Sequence, residues 1–257
     1  MTKKVFIGVI QARMASSRLP SKIMQDILGK PLILHIYERL RKIPQLSQVV
    51  LATTNQDSDE PLQKFAIKEK ISFYAGSVND ILDRLYNTGN KFKCDFMLKI
   101  NADCPLIDTK LIEEGIKKVM LENKKIDLLT NCVTDTFPEG MQFAIFNFDT
   151  IKKLNDSVKE PFWREYIFRY FIENKNKFNI INIENQTDLS SLRWTVDYKE
   201  DLEFVKKIYE NLYPRDPFFG MIDILDFLKK NPQISAINSM YSAKIGINEF
   251  NRRKKNS

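Results

Sequence analysis

The chain has 257 residues, 43% of them hydrophobic, which is enough for a substantial core and too many for a disordered chain. Its formal charge of +7 is spread over expected helix surfaces and the basic run 252–255, read as a solvated tail, so a nucleic-acid polymer is not the expected partner. Cys94, Cys104 and Cys132 are odd in number and lack paired metal spacing, and the apolar run 5–10 is too short for a signal peptide or membrane span. The expectation is therefore a cytoplasmic protein with reduced thiols, no zinc and no membrane segment.

From the N-terminus, short β-rich runs at 5–10, 49–53, 71–74 and 96–100 alternate with helical stripes, the rhythm of parallel strands joined by helical crossovers. Leu32, Ile36 and Leu40 share one helical face, as do Leu62, Phe65 and Ala66, then Ile81, Leu82 and Leu85. The spacing of Leu111, Ile112, Ile116, Val119 and Met120 predicts a further helix, and 127–131 a return to the sheet. The crossover rhythm loosens over 134–184, where a Pro-Glu-Gly turn, a strand at 143–146 and an aromatic helix at 162–172 suggest an edge subregion for acceptor binding or homodimer contact. A last strand at 193–196 and a helix at 199–212 follow. With no repeat and no composition break, the whole of 1–257 is read as one domain, α/β with a mixed, mainly parallel sheet, ending in a basic tail at about 246–257.

The segment that carries most chemistry follows the first strand: Gln11-Ala12-Arg13-Met14-Ala15-Ser16-Ser17-Arg18-Leu19-Pro20-Ser21-Lys22. Three cations and two adjacent hydroxyls stand on a loop at the carboxyl end of a parallel strand, where ligands of open α/β sheets bind. Guanidiniums grip phosphate oxygens in pairs and Lys22 adds a mobile point charge, so the loop suits a polyphosphate as well as it suits solvent.

That string resembles the N-terminal motif of the cytidylyltransferase family, which includes CMP-sugar-acid synthetases, and the similarity is greatest to the branch named after spore-coat polysaccharide biosynthesis protein F. Further matching segments run in order to about Leu212: Gly76-Ser77 with Asp80, Asp83 and Arg84; Asn101-Ala102-Asp103-Cys104-Pro105-Leu106-Ile107; Pro138-Glu139-Gly140; Arg164-Glu165; and Leu192-Arg193-Trp194-Thr195-Val196-Asp197 with Glu200-Asp201-Leu202. The resemblance implies a nucleotide-diphospho-sugar transferase fold and Mg²⁺-dependent transfer of CMP from CTP to an acidic or phosphorylated sugar-like acceptor, with release of pyrophosphate, for surface polysaccharide or glycoconjugate synthesis. It implies nucleotide contacts from Gln11, Ala12, Arg13, Ser16, Ser17, Arg18, Lys22, Gly76, Ser77 and Asp103. Catalytic charge would come from Arg13, Arg18, Lys22 and Asp103, and acceptor contacts from Glu139, Gly140 and Arg164.

Asp103 and Asp197 are the expected metal ligands. Asp103 ends an apolar strand and precedes a proline, and Asp108 is the better cap for the following helix, which leaves Asp103 without a structural task. Asp197 also suits an Asp-x-x-Glu capping box with Glu200. For Gly76 and Ser77 the alternative is a turn in which Ser77 or Asn79 caps the next helix, with Asp83 and Arg84 in a surface ion pair. Two positions depart from the family pattern: Tyr166 stands where histidine follows Arg-Glu, and Ser21 stands where glycine precedes the lysine, a strained choice if that position needs a positive φ. His35, the only histidine, lies in an apolar helical stretch and is read as packing. Competing readings are a glycosyltransferase using Asp57-Ser58-Asp59 as an Asp-x-Asp metal site, although that triplet reads as a solvated turn and cap, and a non-catalytic nucleotide or polyanion binder.

Overall fold

The computed structural model describes residues 4–243 and 245–255. In chain order its elements are β1 (Phe6–Gln11), β2 (Asp26–Ile27), β3 (Lys30–Pro31), α1 (Leu32–Arg41), β4 (Leu46–Thr54), α2 (Glu60–Lys68), β5 (Ser72–Gly76), α3 (Ile81–Phe92), β6 (Phe96–Asn101), α4 (Thr109–Leu121), β7 (Leu128–Thr130) and β8 (Ala144–Asn147). There follow α5 (Phe148–Ser157), α6 (Pro161–Glu165), α7 (Ile167–Glu173), β9 (Ile180–Asn182), α8 (Lys199–Leu212), α9 (Met221–Lys230), α10 (Pro232–Ser235) and α11 (Ile245–Lys255).

Seven strands form one sheet in the order β5-β4-β1-β6-β8-β7-β9, and β2 and β3 make a small separate hairpin. The β5, β4, β1 and β6 neighbours pair in parallel, β8 runs antiparallel to both β6 and β7, and β9 lies parallel to β7. This is the mixed, mainly parallel sheet that the alternation predicts. Both faces are covered by apolar packing, one by α1, α2, α4 and α8 and the other by α3, α5 and α7. A strand buried on both sides needs no polar alternation, which is why Phe6, Ile7, Val9 and Ile10 form one apolar run.

The chain leaves β1 toward β4 on one side and later returns from β5 to β6 on the other. Loops after β1 and β6 therefore splay apart at the reversal of strand order, and the crevice between them is the expected ligand position.

Several elements differ from expectation. The 193–196 stretch is extended but is no sheet strand: Arg193 makes an isolated parallel bridge with Glu139, and Val196 N–H donates to Asp103 O at 2.9 Å. Met120 is exposed, so the α4 stripe is one residue narrower than its spacing suggests. The aromatic helix is two, α6 and α7, broken at Tyr166 with φ −102° and ψ 42°. The basic run is exposed but is a docked helix and no free tail: α11 sets Phe250 beside Phe162 and Tyr166, Arg253 pairs with Glu165 at 2.7 Å, and Lys254 pairs with Glu173 at 2.8 Å. Phe250 thus covers part of the α6 aromatic face, which stays half-buried, while Phe171 is core. Residues 256–257 of the expected tail lie outside the described residues.

Candidate active site

The loop after β1 is fastened at three points. Ala12 N–H donates to Ala52 O at 3.1 Å, and Met14 N–H donates to Asp59 Oδ1 at 2.6 Å. Ile23, in a short 3-10 turn over Lys22–Met24, is buried and anchors the far end. Asp59 corrects the reading of Asp57-Ser58-Asp59 as a solvated turn. It is buried, also accepts from the Thr54 hydroxyl, and holds the basic loop in place. Both of its oxygens are committed, which removes the residue on which an Asp-x-Asp metal site would depend.

Ser21 does occupy the left-handed region, at φ 50° and ψ 33°, so the departure from glycine has a cost. Ser21→Gly is expected to raise stability by about 0.5–1 kcal/mol, the relief of Cβ strain being partly offset by the freer unfolded chain. A denaturant midpoint equal to or below that of the native protein would contradict this.

Lys22 points from this turn into the crevice. Its Nζ lies 2.7 Å from Asp103 Oδ2 and 2.8 Å from Asp197 Oδ1, and Arg18 Nη2 also reaches Asp197 Oδ1 at 2.8 Å. The β1 loop, the β6 loop and the segment before α8 thus meet on one cationic point. Burial alone would lower the Lys22 pKa, but the two carboxylates hold it above its ordinary value. Burial likewise opposes ionisation of Asp197, yet Lys22 and Arg18 override it and keep that carboxyl well below the usual range. Asp197 is therefore charged at neutral pH. Arg13 and Ser17 are exposed on the same loop, and Ser16 Oγ accepts from Leu19 N–H at 3.4 Å.

Behind Asp197 lies a support that its neighbours do not announce. Arg193 is buried, donates to Asp197 Oδ2 at 3.0 Å, and grips both oxygens of fully buried Asp201 at 3.0 and 2.9 Å. Asp201 Oδ2 also accepts from the N–H groups of Asp197 and Tyr198, and Asn238 donates to Asp201 Oδ1 at 2.9 Å. The capping box of α8 consequently runs from Tyr198 to Asp201, not from Asp197 to Glu200. Asp197 is left free for the crevice. An arginine at the head of the Trp194-Thr195-Val196 run and an aspartate eight residues on were the available signal for this pair.

On the other flank, Gly76 ends β5. A Cβ there would sit 2.7 Å from the Tyr74 ring and 3.3 Å from Arg84 Cγ, so only glycine fits comfortably. Ser77 does not cap α3; Asp80 does, accepting from Asp83 N–H at 2.8 Å, while Ser77 Oγ accepts from Asp80 N–H at 3.0 Å. Arg84 is buried instead of forming a surface pair with Asp83, and its Nη1 donates to Ser77 O at 2.6 Å. Among the described residues, Gln11 Oε1, Thr53 Oγ1 and Arg84 Nε are buried without hydrogen-bond partners. Buried polar atoms without partners are costly, so three of them around the ends of β1, β4 and β5 suit a polar ligand ring.

The expected acceptor residues separate. Gly140, at φ 103°, lets the chain pass the Trp194 backbone, where a Cβ would come within 2.6 Å. It thereby sets Glu139 beside Arg193 on the rim of a cavity. Desolvation, together with Asp135, Asp103 and Asp197, pushes the Glu139 carboxyl up to about 7, despite the opposing charge of Arg193. Arg164 is occupied elsewhere. It pairs with Asp80 at 2.6 Å and donates to Asn155 and to Val158 O, clamping α6 onto α3. Tyr166, in the family's histidine position, accepts from Arg253 at 2.9 Å. His35 is buried and packed, with Nε2 2.8 Å from Ile27 O. Asp108 does cap α4 and also accepts from Met221 N–H at 2.7 Å, tying in α9.

Among the described residues no three His, Cys, Asp or Glu side chains gather as a metal cluster, and no helix is long and apolar enough to cross a membrane. The fit to a divalent cation is that of a pair. Asp103 and Asp197 bring hard oxygens from separate segments onto one position that an ammonium already satisfies, and Mg²⁺ is commonly bound by one or two carboxylates together with phosphate and water.

Comparison with known proteins agrees with this geometry. The family model described as cytidylyltransferase matches residues 7–236. A cytidylyltransferase from Leptospira borgpetersenii has a similar structure, with TM-score 0.85 and 30% identity over 94% of this chain and 100% of that one. Spore coat polysaccharide biosynthesis protein SpsF of Bacillus subtilis is 23% identical across 87% of this chain and 94% of its own. The 3-deoxy-manno-octulosonate cytidylyltransferase of Geobacter metallireducens is 30% identical over 115 residues, 45% of this chain and 44% of that protein. With the basic loop, the paired aspartates and the sheet reversal all in place, the chain belongs to the cytidylyltransferase family and is a nucleotidyltransferase.

Proposed function

We propose that this enzyme transfers CMP from CTP to an acidic or phosphorylated sugar-like acceptor in the cytoplasm, releasing pyrophosphate, with Mg²⁺ and in service of surface polysaccharide or glycoconjugate synthesis. The observation that carries the reading is the meeting of Lys22 and Arg18 with Asp103 and Asp197 at the sheet reversal. The 3-deoxy-manno-octulosonate enzyme and SpsF support the CTP and polysaccharide parts by similarity.

Arg13, Arg18 and Lys22 would bind the triphosphate, with the hydroxyls and backbone of Ser16 and Ser17 completing the loop. Gln11, Ala12, Gly76 and Ser77 would flank the nucleoside, with Arg84 as a further donor. Asp103 and Asp197 would hold Mg²⁺, which when bound neutralises charge at the α-phosphate. Lys22 must exchange its carboxylate partners for phosphate oxygens as the nucleotide enters, and Arg193 with Asp201 keeps Asp197 oriented through that exchange. Positioning and charge complementarity then supply most of the rate.

The test is thermal stabilisation by CTP, UTP, GTP and ATP, each with and without Mg²⁺. CTP with Mg²⁺ is expected to stabilise selectively, by about 2.7 kcal/mol at a hundredfold excess over its dissociation constant. Asp103→Asn is expected to weaken the Mg²⁺-dependent part. Equal shifts with all four nucleotides would reduce the site to a polyanion site, and no shift with CTP would end the proposal.

A further inference from the structure

Arg18 is the least enclosed of the groups that meet in the crevice, with 34% of its side chain exposed against 15% for Lys22 and 12% for Asp197. Its ion pair is to Asp197 Oδ1, and that oxygen also takes Lys22. The same carboxylate is the one expected to serve Mg²⁺. A long side chain on a loop loses much rotamer freedom when it is fixed, so an arginine that must give up that partner needs a second hold.

That hold is aromatic. The Arg18 guanidinium carbon lies 5.3 Å from the centre of the Tyr198 ring, within the range of cation–π attraction, and Arg193 lies 5.8 Å from the same ring. A ring face attracts the cation without occupying its N–H groups, so they stay available for phosphate oxygens. The Tyr198 ring is in turn stacked on Tyr241, with centroids 3.9 Å apart and planes within 4° of parallel. Both tyrosines are half-buried, so this is no core contact. Tyr241 is fixed independently of Tyr198: its hydroxyl donates to Glu200 Oε2 at 3.0 Å, and its N–H donates to Asn238 O at 3.1 Å. Asn238 is buried and donates to Arg193 O at 3.0 Å and to Asp201 Oδ1 at 2.9 Å, while Arg193 Nη1 donates to Ser242 O at 3.2 Å. The turn at 238–242 is thus bolted to the ion pair that seats Asp197, and it carries the Tyr241 ring up against Tyr198.

Resting on the proposed CMP transfer, we infer that Tyr198 and Tyr241 are positioning residues for the triphosphate, a stacked platform that keeps Arg18 over the crevice while its guanidinium passes from Asp197 to phosphate. Tyr198 acts directly on Arg18, and Tyr241 acts through Tyr198 by fixing the plane of its ring. Asp197 and Glu249 of α11 are the carboxylates that act on the Arg18 charge. Loss of the platform therefore leaves the guanidinium to them and to solvent, and the triphosphate binds a side chain that must first be ordered.

Titration calorimetry with CTP and with CMP, each in the presence of Mg²⁺, tests this. CMP keeps the nucleoside and the α-phosphate but lacks the two phosphates that leave as pyrophosphate. Tyr241→Ala and Tyr241→Leu are expected to weaken CTP binding about fivefold, the size of a cation–π contact near the surface, and CMP binding by less than about twofold. Tyr241→Phe keeps the ring and loses the bond to Glu200, and should bind CTP as the native protein does. In an Arg18→Ala background, Tyr241→Ala should add no further loss, because the platform then has nothing to hold. Unchanged CTP affinity in Tyr241→Ala, an equal loss for CMP, a Tyr241→Phe variant as weak as alanine, or an undiminished effect without Arg18 overturns the inference. Loss of the fold in both Tyr241→Ala and Tyr241→Leu, read by circular dichroism, overturns it too, since Tyr241 would then be a packing contact. Failure of the native protein to bind CTP instead overturns the CMP-transfer reading beneath it.

Discussion

Lys22→Ala is expected to lower kcat/KM for CTP by about 10²–10³-fold, the loss typical when one preorganised charge donor is removed from a transition state. The side chain is largely shielded and stands between two carboxylates, so nothing nearby can take its place: Arg18 already shares Asp197, and Arg13 is exposed on the outer loop. Without the ammonium, Asp103 and Asp197 face each other with their repulsion less compensated, and phosphate loses its innermost cation. Lys22→Arg should restore little, because a planar guanidinium cannot occupy the point that Nζ fills between two carboxylates 2.7 and 2.8 Å away. Steady-state kinetics on pyrophosphate release provides the measurement. A loss below tenfold would mean that Lys22 is a structural counter-ion and that the phosphates are held elsewhere.

Asp201→Ala should destabilise the fold by about 3–5 kcal/mol, as expected when one partner of a buried ion pair is removed and the other is left uncompensated. Asp201 is fully buried and Arg193 nearly so, and the same carboxylate accepts from Asp197 N–H, Tyr198 N–H and Asn238. Its removal therefore strands a guanidinium and three further donors, and it undoes the cap of α8 together with the seat of Asp197. Urea unfolding monitored by circular dichroism would read the change. Asp201→Asn retains shape but not charge, and should fall between native and alanine. A shift under 1 kcal/mol for the alanine variant would show that Arg193 is satisfied by Asp197 alone.

How far the sequence reaches can be judged on particular elements. The strands at the heart of the sheet were legible because parallel strands buried on both faces leave long apolar runs such as Ile7, Val9 and Ile10, and the stripes of α1 to α4 follow a 3.6-residue period. The left-handed conformation at Ser21 and the packed role of His35 were legible for local reasons, a family position that usually holds glycine and an apolar helical setting. Weak signals were lost. The three-residue β9 is too short to show a period, and 193–196 has strand composition but too few partners for a ladder. The C-terminal helices α9 and α11 went unread because their burial depends on neighbours far away in sequence, through Asp108 for one and the α6 aromatics for the other.

The same division runs through the site. Residue type and spacing by themselves determined that a basic loop follows β1 and that aspartates follow β6 and precede α8, because those are properties of short segments. Only the tertiary structure decided that Lys22, Asp103 and Asp197, separated by 81 and 175 positions, share one point. It also decided that Asp59 is an anchor and no metal ligand, that Arg164 is a clamp, and that Lys99 and Arg169 face one cavity. The physical reason is that a charged side chain carries the same composition signal whether it meets solvent, a partner or a ligand. What it does depends on burial and on the distance to other charges, and both are set by how the sheet reverses and the loops converge.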